Sequence, residues 1–316
     1  MLIEKLDEHV RPDDSNPVRL KEMGEFFEVR YATKETKPHT RKLDADHYVV
    51  LSTGEVKAYK KTTTRDESII NAKQTLSRLR DSIRANVDEP RNCRWVTLTY
   101  AGNMRDEKQL YKDYCCYNQR FQRFLQREYN TTAEWVAIAE PQGRGVWHFH
   151  VLYIFPQRAP YISNYEFAKI WGHGFTKFQA LKQSDDIAMY LSAHLTDLPL
   201  KEALKNGIKF PDINRKDLKS IEVKGKPKAF LKGARLMFYP TGMRIYRTSK
   251  GIKRPIVSHT TEKVAQEIVS YHNASLTFEK TIALKDSNSC EVAVIFNYRH
   301  YRVNHDLEVI ENRIAL

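Results

Sequence analysis

The chain has 316 residues, more than one compact core usually holds, so two or three domains or one elaborated domain is expected. Hydrophobic residues make up 41% and aromatic ones 11%, which supports a folded core and excludes global disorder. A net charge of +13 makes a polyanion the leading partner class, nucleic acid ahead of an anionic membrane surface. No stretch approaches the roughly 18–20 consecutive apolar residues of a membrane span. The N-terminal MLIEKLDEHVRPDDS carries acids where a signal peptide carries bases. Cys93, Cys115, Cys116 and Cys290 show no CxxC spacing, so neither a disulfide framework nor a zinc ribbon is suggested. Walker A is absent too, which removes a P-loop motor. A cytoplasmic protein without a membrane partner is the expectation.

Residues 1 to about 90 are polar and of mixed charge, with a hairpin expected around Thr53-Gly54 and a helix from Glu67 to Ala85. WVTLTY (95–100) alternates with β-branched and aromatic residues, a strand signal. Leu110, Tyr114, Tyr117, Phe121, Phe124 and Leu125 then recur at spacings of three and four, the pattern of an amphipathic helix. The vicinal Cys115-Cys116 pair on that helix reads as packing. Three more strands follow in WVAIAEPQ, HFHVLYIF and GFTKFQAL, and a short helix with Ile187, Leu191 and Leu195 closes the block. Between Arg215 and Arg254 stand 13 Lys+Arg against two acids, so 40 residues hold +11 of the charge, with Phe238, Tyr239 and Tyr246 interleaved. Such density repels itself unless a polyanion or counter-ions compensate it, so phosphate contact is expected there. The division by role is therefore 1–90, an accessory or DNA-recognition region; 91–200, a catalytic domain; and 201–316, a basic DNA-binding region.

Chemistry concentrates in AEPQGRGVWHFHVLYIF (139–155). Gly143-Arg144-Gly145 marks a turn between two strand-like runs. A hairpin centred on Arg144 sets Glu140 opposite His148 and Ile138 opposite His150. His148 and His150, two apart on a strand, project to one side, and Trp147 and Phe149 to the other. Cross-strand Cβ atoms lie roughly 4.5–5.5 Å apart, so Glu140, His148 and His150 can converge as three metal ligands that leave positions open. A slip of one residue would turn Glu140 away, with Gln142 the nearest substitute. Downstream, QSDDIAMYLSAHLTD (183–197) reads as a helix capped by Ser184, with Asp186, Tyr190 and His194 on one stripe at i, i+4 and i+8. A phenol beside a divalent cation or a base can be driven toward phenolate and attack phosphorus.

Taken together, these motifs resemble the HUH endonuclease superfamily, and within it the rolling-circle replication initiators (Rep) of bacterial plasmids, integrative elements and phages. His148-Phe149-His150 matches the histidine–hydrophobic–histidine signature, VTLTY (96–100) the upstream strand motif, and Glu140 the third ligand position of several Reps. Tyr190 stands where the family's nucleophile stands, and IWGHGFTKFQAL (170–181) resembles the linking segment of bacterial Reps. Family members often carry a second Tyr, or a Lys, three or four residues after the first; here Ala193 and His194 stand there, which favours a single tyrosine with His194 or Asp186 assisting.

The resemblance implies an α+β fold, a five-stranded antiparallel sheet with flanking helices, extended by N- and C-terminal additions. It implies Mg2+ or Mn2+ on Glu140, His148 and His150, attack by Tyr190, a 5′-phosphotyrosine and a free 3′-OH. The substrate would be single-stranded or hairpin origin DNA, held by Arg144 and by Lys226, Lys228, Arg244 and Arg247 of the basic segment, with a host helicase and DNA polymerase as partners in a bacterial cytoplasm. Three other readings use the same residues. A relaxase or single-strand transposase keeps the fold; a DNA-binding regulator makes the histidines structural; a non-haem iron oxygenase leaves the basic segment and Tyr190 unexplained.

Overall fold

The computed structural model describes residues 2–35, 38–61, 63–65, 69–181, 197–206, 218–223, 226–286 and 291–304. In chain order its first strands are β1 (Leu2–Leu6), β2 (Pro17–Met23), β3 (Phe26–Ala32), β4 (Thr40–Lys42), β5 (His47–Val50) and β6 (Val56–Ala58). Then come α1 (Ile69–Arg84), β7 (Cys93–Thr99), α2 (Glu107–Tyr129), β8 (Glu134–Pro141), β9 (Trp147–Ile154), α3 (Asn164–Trp171) and β10 (Thr176–Ala180). The remainder is β11 (Leu198–Pro199), α4 (Leu200–Lys205), β12 (Leu218–Val223), β13 (Lys226–Leu231), β14 (Tyr246–Thr248), β15 (Ile256–Thr261), α5 (Glu262–Tyr271), β16 (Ala274–Lys285) and β17 (Val292–Val303). The chain forms two compact units, Thr62–Lys253 and Met1–Lys61 joined by Arg254–Leu316.

The unit Thr62–Lys253 is built on a five-stranded antiparallel sheet in the order β10-β7-β9-β8-β14. Its central strand β9 is buried on both faces except at His150 and Ile154, which is why WHFHVLYI reads as a nearly unbroken apolar run. Helix α2 closes one face. Asp106 caps it by accepting from the Lys108 and Gln109 amides at 2.8 and 3.1 Å, and Asn130 ends it in the left-handed region, φ +48°. Its buried stripe sets Tyr114 against Phe149 and Phe121 against Tyr153, ring centroids 4.8 Å apart in both pairs. Cys115 and Cys116 fall outside that stripe and are exposed, so the expectation that they pack is corrected. Helix α3, capped by Ser163, adds Phe167 and Trp171 to the same aromatic core. The fifth strand, β14, comes from within the basic segment and pairs Tyr246 with Ile138.

The other unit joins the two ends of the chain in a six-stranded antiparallel sheet, β1-β16-β17-β3-β2-β15. Helix α5 packs Ala265 and Val269 on one face, against Val18, Leu20, Phe27, Val29 and Tyr301. Arg299 and Glu262 form a buried two-pronged ion pair on that side, with Nη2 donating to Oε2 at 2.7 Å and Nη1 to Oε1. A separate sheet, β4-β5-β6, contains the expected hairpin at Gly54, φ +71°. The expected helix at 67–85 is α1. Among the described residues, no helix is long and apolar enough to cross a membrane.

Candidate metal centre

The turn between β8 and β9 is closed by the Gln142 amide donating to Val146 O and the Gly145 amide to Gln142 O, both at 2.8 Å. Gly145 sits at φ +73°, where a side chain would be strained. A Cβ on Gly143 would meet Glu202 of α4 at 2.8 Å, because the Gly143 amide donates to the Glu202 carboxylate at 2.7 Å. These constraints fix the register: Glu140 pairs with His148 and Ile138 with His150, as the turn position predicts. Gln142 is therefore not needed as a substitute ligand; it lies in the turn beyond Pro141.

Three side chains converge on the sheet face opposite α2. Nε2 of His150 lies 2.6 Å from Oε2 of Glu140, Nε2 of His148 lies 3.3 Å from the same oxygen, and the two Nε2 atoms are 2.9 Å apart. Ligand atoms about 2.1 Å from one ion at right angles to each other stand about 3.0 Å apart, so this spacing suits neighbouring positions around a divalent cation. Oε2 of Glu140 is buried and accepts no well-angled hydrogen bond despite its two imidazole neighbours. The donor atoms aim at a common point rather than at one another. Glu140, His148 and His150 thus form a cluster that can hold a metal ion.

The pocket is graded from dry to wet. Glu140 is 3% exposed, His148 8%, and the side chain of His150 18%, so His150 stands at the mouth. Thr97 Oγ1 lies 3.2 Å from Nδ1 of His150, which engages the far nitrogen and leaves Nε2 for the cluster. Trp95 stacks on the same imidazole with centroids 5.0 Å apart and planes 10° from parallel. Ile138 is fully buried and forms the apolar wall expected at that position.

Arg235 is a member of the site that the sequence reading misses. It lies in a short 3-10 turn, Ala234–Phe238, is buried, and places Nη1 2.7 Å from Oε1 of Glu140. The same guanidinium donates to Pro141 O at 2.5 Å and, through Nε, to Asp197 O at 2.9 Å. Burial, the largest influence on Glu140, raises its pKa. The neighbouring His148 and His150 and the charge of Arg235 more than offset it and hold the carboxyl well below its ordinary range. One oxygen is thus taken by Arg235 and the other is left to the histidines. The signal that could have found it is a cation inside an apolar run, ARLMFY (234–239), since a cation there has to be paired. Tyr239 in that run is fully buried, and its hydroxyl donates to Ala139 O at 2.8 Å.

The remaining site candidates are dispersed. Arg144 is exposed at the hairpin tip, its Nε donating to the Gln142 side chain at 3.2 Å. Lys228 on β13 and Arg244 before β14 are exposed. Arg247 is half-buried, on the face of β14 turned toward α2, with its guanidinium 3.6 Å above the Tyr111 ring. The side chain of Lys226 lies outside the described residues, and so do Asp186, Tyr190 and His194 in their entirety.

No curated protein and no solved structure matches the chain. A family model does: residues 93–198, about a third of the chain and the segment that carries Glu140, His148 and His150, match the replication-associated protein family ORF2, in agreement with the resemblance to rolling-circle Reps.

Proposed function

We propose that the protein is a replication initiator that nicks and rejoins single-stranded or hairpin origin DNA, with Tyr190 as nucleophile. The observation that carries the reading is the convergence of Glu140, His148 and His150 on one point within a segment that matches a replication-associated family. Those three residues would hold Mg2+ or Mn2+, which would supply Lewis-acid charge at the scissile phosphate. Arg235 keeps Glu140 ionised and aimed, and Thr97 and Trp95 keep His150 oriented.

The Tyr190 oxygen attacks phosphorus, forming the O–P bond as the bond to the 3′ oxygen breaks. The phenolic proton passes to a base, for which His194 and Asp186 are the candidates on the same stripe. The departing 3′ oxygen takes up a proton and becomes the 3′-OH that a polymerase extends. The phosphotyrosine retains the phosphodiester energy, so the reverse reaction closes the strand without ATP. Arg144, Lys226, Lys228, Arg244 and Arg247 would serve the DNA backbone. A host helicase and polymerase in a bacterial cytoplasm complete the setting.

The test is a denaturing gel of the full chain with labelled single-stranded and hairpin DNA and Mn2+. A DNA-shifted protein band is expected, lost with EDTA and lost in Tyr190→Phe. Binding without an adduct would point to a regulator instead, and an adduct that survives in Tyr190→Phe would assign the nucleophile elsewhere.

A further inference from the structure

The six-stranded sheet of the terminal unit has two faces of opposite character. Val18, Leu20, Phe27, Val29 and Tyr301 turn toward α5. Their strand neighbours turn the other way, and among the described residues of this unit no helix packs on that second face. One cross-strand row on it runs Arg19 opposite Arg30, Arg30 opposite Tyr298, and Tyr298 opposite Lys280. Like charges directly opposite each other destabilise a sheet, and this row contains no acid. The strands place a single acid on the face, Glu28, and it is neutralised by Lys21 at 3.1 Å and His300 at 3.6 Å. The face therefore carries uncompensated positive charge.

Rings lie among these cations. The Arg30 guanidinium is 4.6 Å from the Phe296 centroid and 5.6 Å from that of Tyr298, and Arg302 is 5.3 Å from Phe26. Phe278, 48% exposed on a strand, stands 5.2 Å from the His300 ring. An exposed phenylalanine beside stacked guanidinium planes is poorly served by water. It is well served by an unpaired base, which offers a π-face to the ring while its phosphates meet the cations. A duplex hides its base faces, so exposed rings favour a single strand.

We propose that this sheet face is a second DNA site, a stacking platform for single-stranded DNA separate from the metal centre. The proposal rests on the initiator reading only for the source of the strand, since nicking at an origin needs single-stranded DNA. In this arrangement Phe278 and Tyr298 receive bases, and Arg19, Arg30, Lys280 and Arg302 neutralise the backbone.

Fluorescence anisotropy of a labelled oligothymidylate with the full chain in EDTA measures this surface with the metal centre disabled. Phe278→Ala is expected to weaken binding about fivefold or more, the loss of one base–ring stack. Arg30→Gln with Arg302→Gln is expected to flatten the slope of log affinity against log salt by about 0.7 per cation removed. Phe278→Ala binding within twofold of wild type, at an unchanged melting temperature, overturns the proposal. A duplex of the same length that competes as well as the single strand overturns it too. If the double variant does not fold, Phe278→Ala and the duplex competition decide. Wild type that binds the strand in EDTA but forms no adduct with Mn2+ refutes the nicking reading and leaves the platform standing; an adduct without any effect of Phe278→Ala on binding does the reverse.

Discussion

The two large sheets use polar residues in opposite ways. The five-stranded sheet gathers a carboxylate, two imidazoles and a guanidinium at one end of its central hairpin, in a nearly closed pocket. The six-stranded sheet spreads its cations and rings over an open face and buries one ion pair, Arg299–Glu262, beneath α5. Convergence in a dry place makes a few groups strong, whereas dispersion makes many weak contacts to an extended polyanion. If that contrast is right, single changes at the hairpin abolish a property, and single changes on the open face only diminish one.

The largest effect is therefore expected at the ligands. His150→Ala should lower Mn2+ affinity by more than about a hundredfold, because changes to groups that merely orient ligands already cost about 10–100-fold. Titration calorimetry of the full chain checks this, and affinity within tenfold of wild type would refute a metal centre at these residues. Adduct formation should disappear in the same variant.

Next comes the buried pair of the other unit. Arg299→Met leaves the Glu262 carboxylate buried without its partner, and such losses cost about 3–5 kcal/mol. A urea unfolding curve should show it. A shift below about 1 kcal/mol would mean that water reaches Glu262 once the arginine is gone.

Arg235 tests whether the hairpin pocket depends on support from outside the segment that matches the family model. Arg235→Met should lower Mn2+ affinity by about 10–100-fold, through loss of the contact that aims Glu140. Arg235→Lys should recover part of it, since an ammonium can reach Glu140 but cannot span Pro141 O and Asp197 O at once. Wild-type Mn2+ affinity in Arg235→Met would reduce the residue to a packing role.

How far these features are legible in the sequence follows from their physics. The hairpin is readable because the Gly143-Arg144-Gly145 turn sets register, and register alone decides that Glu140 meets His148. The stripe of α2 is readable because every member packs on one side. Arg235 is hidden among 13 cations of one segment, and nothing local distinguishes a buried guanidinium from a solvated one except the apolar run around it. Strand β14 is equally hidden, three residues long and without alternation. The terminal sheet escapes for two reasons. Its pairings join β1 to β16 and β3 to β17, across most of the chain. Its longest strand also inverts the expected pattern, with Asn297 and Arg299 buried where apolar residues would signal a covered face. The stripe of Asp186, Tyr190 and His194 rests on spacing and resemblance, outside the described residues.

Acid should separate wild type from a variant of the open face. Burial raises the Glu28 carboxyl, but His300 and Lys21 outweigh it and hold its pKa at about 2, against an ordinary value of 4.5. A group depressed on folding contributes stability that is fully present above its unfolded pKa and is lost as pH falls through the folded one. The contribution of Glu28 should therefore be intact above about pH 4.5 and fade toward pH 2. Glu28→Gln should be less stable than wild type at pH 7, and the gap should close across that window. A gap that stays constant in urea midpoints from pH 7 to pH 3 would show that Glu28 contributes packing and not charge.

The smallest expected difference lies in how the two covering helices begin. Asp106 gives α2 two short cap bonds, at 2.8 and 3.1 Å, and sets a negative charge at the positive end of the helix. Thr261 gives α5 one neutral contact to the Val264 amide at 3.5 Å. Replacing a good cap by alanine costs about 1 kcal/mol within a range of about 0.5–2. Asp106→Ala should therefore cost about 1 kcal/mol or more, and Thr261→Ala about 0.5 kcal/mol, in parallel urea unfolding. Only the first should shrink at pH 3, where the Asp106 carboxylate begins to take up its proton while the Thr261 hydroxyl does not change. Equal costs at both pH values would mean that the α2 cap acts through hydrogen-bond geometry alone, and that charge at the helix end adds nothing to the closure of the five-stranded sheet.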